Sequence, residues 1–150
     1  MPIKRDEHLQ TISRDHHHGL LLCWKIKTGF KKQIEPARIK KYADWFYKNH
    51  LVPHFDVEEK YVFPVLGNDH AHVKRALLEH DNLKRYFDSE TDIIENLASI
   101  ESELQNHIRF EERVLFNEIQ AIATEQQLQD IQKYHHDGKF VDNTEDVFWL

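Results

Sequence analysis

Residues 54–63, HFDVEEKYVF, place one histidine and two glutamates at helical spacing among apolar residues. His54 and Glu58 are four residues apart, so on an α-helix they share one face, one turn apart. A buried carboxylate is unfavourable unless it is paired, hydrogen-bonded or bound to a metal ion. The stretch therefore predicts a helix that turns two potential metal ligands toward the core.

A second copy of this pattern, HIRFEERVLF, begins at His107. Its four matching positions each lie 53 residues after their counterparts, and they are His107, Glu111, Glu112 and Phe116. Two further helical patterns each carry an acid–histidine pair, Asp15–His16 and Glu79–His80, with the histidine on the apolar stripe. The chain thus reads as one unit, acid–His followed by HxxxEE, that occurs twice.

Apolar residues at steps of three and four predict four long helices. We expect the second helix to begin at Pro36 and end at Gly67, and Asp69 to cap the third. Residues 124–127, TEQQ, match a capping box that opens a short fifth helix.

Short loops between long helices predict an all-α fold, an antiparallel up-down-up-down four-helix bundle. We expect a single domain over residues 1–150, with the bundle at about 8–122 and the fifth helix and tail at 123–150. The apolar end of the tail, Phe148, Trp149 and Leu150, is predicted to pack on the protein itself.

Composition excludes several classes of function. The net charge is −6, from 20 basic and 26 acidic residues, which gives no electrostatic footprint for nucleic acid or anionic lipid. The longest fully apolar run is LLLCW, residues 20–24, far shorter than a membrane span. The N-terminus shows no apolar signal region, and the single cysteine, Cys23, is typical of a reducing compartment. We therefore expect a cytoplasmic protein.

The repeat predicts a metal site in the bundle centre. Two HxxxE helices and two single histidines supply four imidazoles and two carboxylates, a set that suits two ions sharing two carboxylates. The predicted ligands are His16, His54, Glu58, His80, His107 and Glu111.

Several residues near the predicted ligands are alternative or additional candidates for the site. His17 is the alternative to His16, but His16 shares its stripe with more apolar residues. His50 and Glu103 lie one turn before His54 and His107, where each is an extra ligand, a hydrogen-bond acceptor behind a ligand or, more simply, a polar surface residue at a helix end. The remaining acids are expected at the surface, with Glu59 and Glu112 in ion pairs. Asp15 and Glu79 are expected as surface or capping groups, with a carboxylate that holds an imidazole as the alternative.

The four motifs SRDHHHGLLL, HFDVEEKYVFPVL, LLEHDNL and HIRFEERVLF, in this order, resemble the hemerythrin-like, or HHE cation-binding, family. The resemblance covers residues 8–122. It implies a non-haem di-iron centre in a four-helix bundle, with the four histidines as terminal ligands and Glu58 and Glu111 as bridges. The chain departs from oxygen carriers at Ala76, where they have a further histidine, and at Glu111, where they have HxxxxD.

The resemblance implies a cofactor of two non-haem Fe ions, with Zn or Mn as substitutes. The missing histidine favours sensing, iron handling or oxidative-stress response over reversible oxygen carriage. The expected partner is a small diatomic or peroxide ligand, with no nucleic acid or membrane, and the chain is expected as a monomer or homodimer. The alternatives are a di-iron enzyme that reduces peroxide or nitric oxide, an iron-donating repair protein, or a sensor module without chemistry of its own.

Overall fold

Four long helical segments and a short fifth helix form the part of the chain that the computed structural model describes, residues 4–135 and 140–150. This part contains no strand. The α-helices are α1 (Gln10–Lys31), α2 (Pro36–Phe46), α3 (Val52–Val57), α4 (Ala71–Asp88), α5 (Ile93–Phe110), α6 (Phe116–Ile122) and α7 (Glu125–Tyr134). Wider π-helical turns and a 3₁₀ turn join some of them into longer segments.

The second and fourth segments are interrupted helices. In the second, π turns at Tyr47–Leu51 and Glu58–Val62 flank α3, and a 3₁₀ turn at Phe63–Val65 ends the segment. In the fourth, a π turn at Glu111–Leu115 joins α5 to α6. Pro53 explains the first interruption, because it has no N–H to donate to the carbonyl four residues earlier. The other two π turns begin at Glu58 and at Glu111, so the sequence repeat extends to the backbone.

The helix ends follow local chemistry. Pro36 occupies the first turn of α2 as expected, and Gly67 adopts φ +91° where the second segment ends. Thr124 and Gln127 form the predicted capping box of α7. The prediction of Asp69 as the cap of α4 is wrong, since the N-cap is His70, whose ring accepts a hydrogen bond from the His72 N–H.

Short connections between consecutive segments make neighbouring helices antiparallel, and α5 packs against both α1 and α4. These contacts confirm the predicted all-helical bundle. Two apolar clusters fill it, one at each end. Leu22, Ile26, Phe46 and Leu104 belong to the first cluster, and Ile12, Phe63, Val73 and Phe116 to the second. The predicted ligand positions fall between the two clusters on each of the four segments.

The C-terminal tail packs on the bundle as predicted, except for its last residue. Phe148 is buried in the first cluster and Trp149 packs against it, but Leu150 is 82% exposed. Lys25 anchors the tail, because its buried Nζ donates to Asp142 at 2.6 Å and to the Tyr42 hydroxyl at 2.8 Å. None of the helices in the described ranges has the length and apolar character that crossing a membrane requires.

Candidate metal centre

Six buried polar side chains meet at the middle of the bundle, and they are the six predicted ligands. They are His16, His54, Glu58, His80, His107 and Glu111, each at most 5% exposed. Their nitrogen and oxygen atoms form two groups of four, each group within 4.8 Å. One group contains His16 and His54, the other contains His80 and His107, and both contain Glu58 and Glu111.

The imidazole Nε2 atoms all point at the two shared carboxylates. In the first group, His16 Nε2 lies 3.0 Å from Glu111 Oε1, and His54 Nε2 lies 3.3 Å from Glu58 Oε1. In the second group, His80 Nε2 lies 3.2 Å from Glu58 Oε1, and His107 Nε2 lies 3.3 Å from Glu111 Oε1. Each glutamate thus faces one histidine from each group.

A second layer of four carboxylates holds the outer nitrogen of every histidine. Asp15, Glu59, Glu79 and Glu112, named here the outer carboxylates, accept hydrogen bonds from the four Nδ1 atoms. The distances are 2.9 Å for Asp15–His54, 2.8 Å for Glu59–His80, 2.7 Å for Glu79–His107 and 2.7 Å for Glu112–His16. Because each outer carboxylate accepts the Nδ1 proton, a neutral ring in this position presents the lone pair of Nε2 to the centre, as a metal ligand requires.

The sequence favoured surface positions for all four outer carboxylates, and a carboxylate that holds an imidazole was only the lesser alternative for Asp15 and Glu79. They are partly exposed, as expected, and two of them also form surface ion pairs: Glu112 with Arg5 and Glu79 with Arg75, both at 3.1 Å. Their second oxygen, however, binds a histidine of the centre. A signal was present, because each outer carboxylate is adjacent in sequence to a predicted ligand. The π turns contribute as well, since a wider turn rotates each residue less and brings Glu59 and Glu112 closer to the ligand face.

The charges of the centre need compensation. Burial and the negative charge of Glu111 raise the pKa of Glu58 to about 8. Burial opposes protonation of His107, but the Glu111 carboxylate and hydrogen bonds with Glu111 and Glu79 raise its pKa to about 10. Burial would also raise the pKa of Glu111, yet the positive charge of His107 holds it well below its ordinary value. The raised pKa values favour a proton on Glu58 and a positive charge on His107. These protons reduce the negative charge of the two buried glutamates, as metal cations would otherwise do.

Two observations show that the residues fit metal ions. Nitrogens bound at about 2.1 Å to one ion at ordinary angles lie about 3.0–3.4 Å apart, and His80 Nε2 lies 3.2 Å from His107 Nε2. In addition, buried atoms that face the centre have no hydrogen-bond partner among the described residues. These atoms are both oxygens of Glu58, Oε2 of Glu111 and Nε2 of His54. Unpaired buried atoms of this kind are unfavourable, and a cation between them would pair them.

The alternative ligands that the sequence offered lie outside the centre. His17 is exposed, whereas His16 lies in it. Neither His50 nor Glu103 belongs to a group of ligand atoms in the described part of the chain. Ala76 is fully buried in the second apolar cluster, so the position one turn before His80 is filled by packing.

His135, at the end of α7, extends the network. It is 7% exposed, and its Nε2 lies 2.7 Å from the Asp15 oxygen that also binds His54. Burial raises the pKa of Asp15, but hydrogen bonds from His135 and His54 outweigh this effect and hold it well below its ordinary value. His135 was not among the residues predicted to take part in the site. Its contact with Asp15 depends on how α7 folds back onto the bundle.

A separate cluster of His70, His72 and Glu118 lies near the start of α4. It is a weaker candidate for a metal because its side chains are 31–41% exposed. The Nδ1 of His70 already accepts the backbone N–H of His72, so the neutral ring carries its proton on Nε2, the atom that faces Glu118.

A cavity of about 1080 Å³ opens onto one side of the centre. His16, His54, His107 and Glu111 form its inner wall, while Ala76 and His80 do not line it. Access to the centre in this structure is therefore on the side away from Ala76.

A bundle whose interior brings four imidazoles and two carboxylates together defines a class, the helical cation-binding proteins. The family model of the hemerythrin HHE cation binding domain matches residues 7–116, and the chain belongs to this family. No curated protein and no solved structure matches the chain significantly.

Proposed function

We propose that the chain is a non-haem di-iron protein that binds oxygen or a related small oxidant and serves in oxidant sensing or iron handling in the cytoplasm. The observation that carries this proposal is the pair of four-ligand groups that share Glu58 and Glu111. Imidazole combined with carboxylate suits non-haem iron, and two shared carboxylates suit two ions. Zn or Mn would fit the same side chains.

The roles follow from the contacts. His16 and His54 would hold one ion, His80 and His107 the other, and the two glutamates would bridge them. Two ferrous ions would supply two electrons and open coordination positions. The outer carboxylates keep each Nε2 lone pair inward, and the apolar clusters exclude water from both ends of the centre.

The test is anaerobic loading with ferrous iron, followed by a metal count and an absorption spectrum before and after oxygen is added. We expect two irons per chain and a new absorption band on oxidation. Glu58→Ala and Glu111→Ala should lose the two-ion site. The matched control is Glu118→Gln, which alters the exposed cluster and should still hold two irons. A Glu58→Ala variant that keeps two irons would refute the bridging role.

A further inference from the structure

The short helix α7 packs on the helical segment that carries two of the predicted ligands. Its residues Leu128 and Ile131 are buried in the second apolar cluster, and α7 contacts the π turn Glu58–Val62. The Tyr134 ring of α7 stacks on the Tyr61 ring of this turn, with the ring centroids 4.6 Å apart and the planes 5° from parallel. The helix α7 therefore lies directly against the turn that presents a predicted bridging glutamate.

The end of α7 also reaches the predicted histidine ligand of the same segment. His135 is 7% exposed, and its Nε2 donates a hydrogen bond to Asp15 Oδ2 at 2.7 Å. The same oxygen accepts a hydrogen bond from His54 Nδ1 at 2.9 Å. One carboxylate oxygen on α1 thus connects α7 to a predicted ligand on α3.

His54 depends on this connection more than the other predicted histidine ligands do. Those three each have Nε2 in a hydrogen bond inside the centre: His16, His80 and His107. The Nε2 of His54 has no hydrogen-bond partner in the described part of the chain. Its ring is held from the outside by Asp15. Because the Asp15 side chain is 35% exposed, water competes for its oxygens, and the buried ring of His135 keeps it in place.

Docking of α7 and binding of an ion at His54 should therefore favour each other. A histidine binds a metal ion well when a fixed acceptor on its other nitrogen orients the ring. Conversely, an ion that fixes the His54 ring also fixes Asp15 in the position where His135 binds it. Such coupling is reciprocal, since each event raises the affinity of the other by the same factor.

We propose that α7 reports the occupancy of the metal centre. It stays docked when an ion is bound between His16 and His54, and it is released more readily when that ion is lost. His135 is the positioning residue of this coupling, because it acts on His54 through Asp15. The inference rests on the proposed function and deepens it, since release of α7 would uncover apolar surface and so provide the output that a sensor requires.

Hydrogen exchange of the α7 amides measures docking. It is followed by mass spectrometry on the peptide Glu125–Tyr134 of the full chain, in the metal-free protein, after anaerobic loading with ferrous iron, and after loading with zinc. We expect either metal to slow exchange of this peptide about 5- to 150-fold, the usual range of coupling between two sites. The bound ions are counted on the same samples.

Variants of His135 test whether this residue transmits the coupling. His135→Ala removes the hydrogen bond to Asp15, whereas His135→Gln keeps an N–H donor. We expect His135→Ala to lower iron affinity about tenfold in competition with a chelator, and to reduce the slowing of α7 exchange by metal. His135→Gln should restore both. The matched control is His17→Ala, which removes an exposed histidine and should behave as the wild type.

A purely structural role of His135 gives a different result. Metal that only stabilises the bundle as a whole would slow α7 exchange equally in the wild type and in His135→Ala, and this outcome would overturn the inference. Circular dichroism checks that the variants are folded. If His135→Ala is not, the same comparison with Tyr134→Leu, which removes the ring stacked on Tyr61, decides.

The ion count separates failure of this inference from failure of the proposed function. Two bound irons with no change in α7 exchange would contradict the coupling alone. Zinc that slows α7 exchange in a chain that takes up no iron, with the slowing reduced in His135→Ala, would contradict the di-iron proposal alone.

Discussion

At the scale of single residues, the centre consists of an inner layer of six buried side chains and an outer layer of four carboxylates that bind the histidines. The inner layer follows from HxxxE spacing, because residues four apart share a helix face whatever the rest of the fold does. The outer layer was not predictable in this way. Asp15 binds a histidine of the second segment, not its own neighbour His16, and Glu112 reaches back to His16 on α1. Such contacts depend on the relative rotation of two helices, which one helix pattern does not contain.

The outer carboxylates should tune metal affinity without being ligands. Glu112→Gln keeps the size of the side chain but weakens its hold on His16 Nδ1, 2.7 Å away. We expect metal affinity to fall about 10- to 100-fold while two ions still bind at saturation. Competition with a chelator measures the affinity. Glu118→Gln is the control, and an unchanged affinity in Glu112→Gln would show that the outer hydrogen bond is unimportant.

The protons held by Glu58 and His107 make the stability of the metal-free protein depend on pH. Their folded pKa values, about 8 and about 10, lie above the ordinary values of about 4.3 and about 6.5. The folded state therefore binds more protons than the unfolded state, and stability falls as pH rises through these ranges. We expect the free energy of unfolding to decrease between about pH 6.5 and pH 8, where both ranges overlap.

Denaturant titration of chelator-treated protein measures this pH dependence. Glu58→Gln removes one of the groups of the centre whose folded pKa is raised, so the stability of this variant should decline less steeply with pH. A metal-free wild type whose stability rises with pH over this interval would contradict the assigned protonation of the centre.

At the scale of elements, the interrupted helices adapt a regular bundle to its centre. The sequence predicted the order of the helices, the start of α2 at Pro36 and the capping box of α7, because each depends on residues that are neighbours in the chain. The π turns that begin at Glu58 and Glu111 were not predicted, since HxxxE spacing fits an uninterrupted α-helix equally well. The place of α7 was not predicted either, because a short amphipathic helix can pack at several positions.

The packing of α7 predicts unequal effects of two similar substitutions. Ile131 on α7 is fully buried in the second apolar cluster, whereas Ile122 at the end of α6 is 60% exposed. We expect Ile131→Ala to lower the free energy of unfolding by about 2–5 kcal/mol, because it leaves a cavity. Ile122→Ala should change it by less than about 1 kcal/mol. Chemical denaturation compares the two, and equal effects would mean that α7 does not pack where the structure has it.

At the scale of the whole molecule, the tail packs on the first apolar cluster, whereas α7 packs on the second. The sequence predicted this packing from the apolar character of Phe148 and Trp149. It did not predict the ion pair that accompanies it, because Lys25 and Asp142 are distant in sequence. Lys25 is 6% exposed and depends on Asp142 and Tyr42 for its polar contacts.

Removing the charge of Asp142 should therefore loosen the tail. We expect Asp142→Asn to destabilise the protein by about 1–3 kcal/mol, less than for a fully buried pair because Asp142 is 30% exposed. The control is Asp146→Asn, which breaks the exposed pair with Arg38 and should cost about 0–1 kcal/mol. Thermal melting of both variants checks the difference, and equal shifts would contradict the anchoring role of Lys25.

The most direct test of the central claim is anomalous diffraction at the iron edge from crystals of the iron-loaded protein. Our account predicts two peaks at the middle of the bundle, one between His16 and His54 and one between His80 and His107, with Glu58 and Glu111 touching both. A single peak at the centre would contradict the shared-carboxylate arrangement. Iron found only at His70, His72 and Glu118 would contradict the assignment of the buried centre as the metal site.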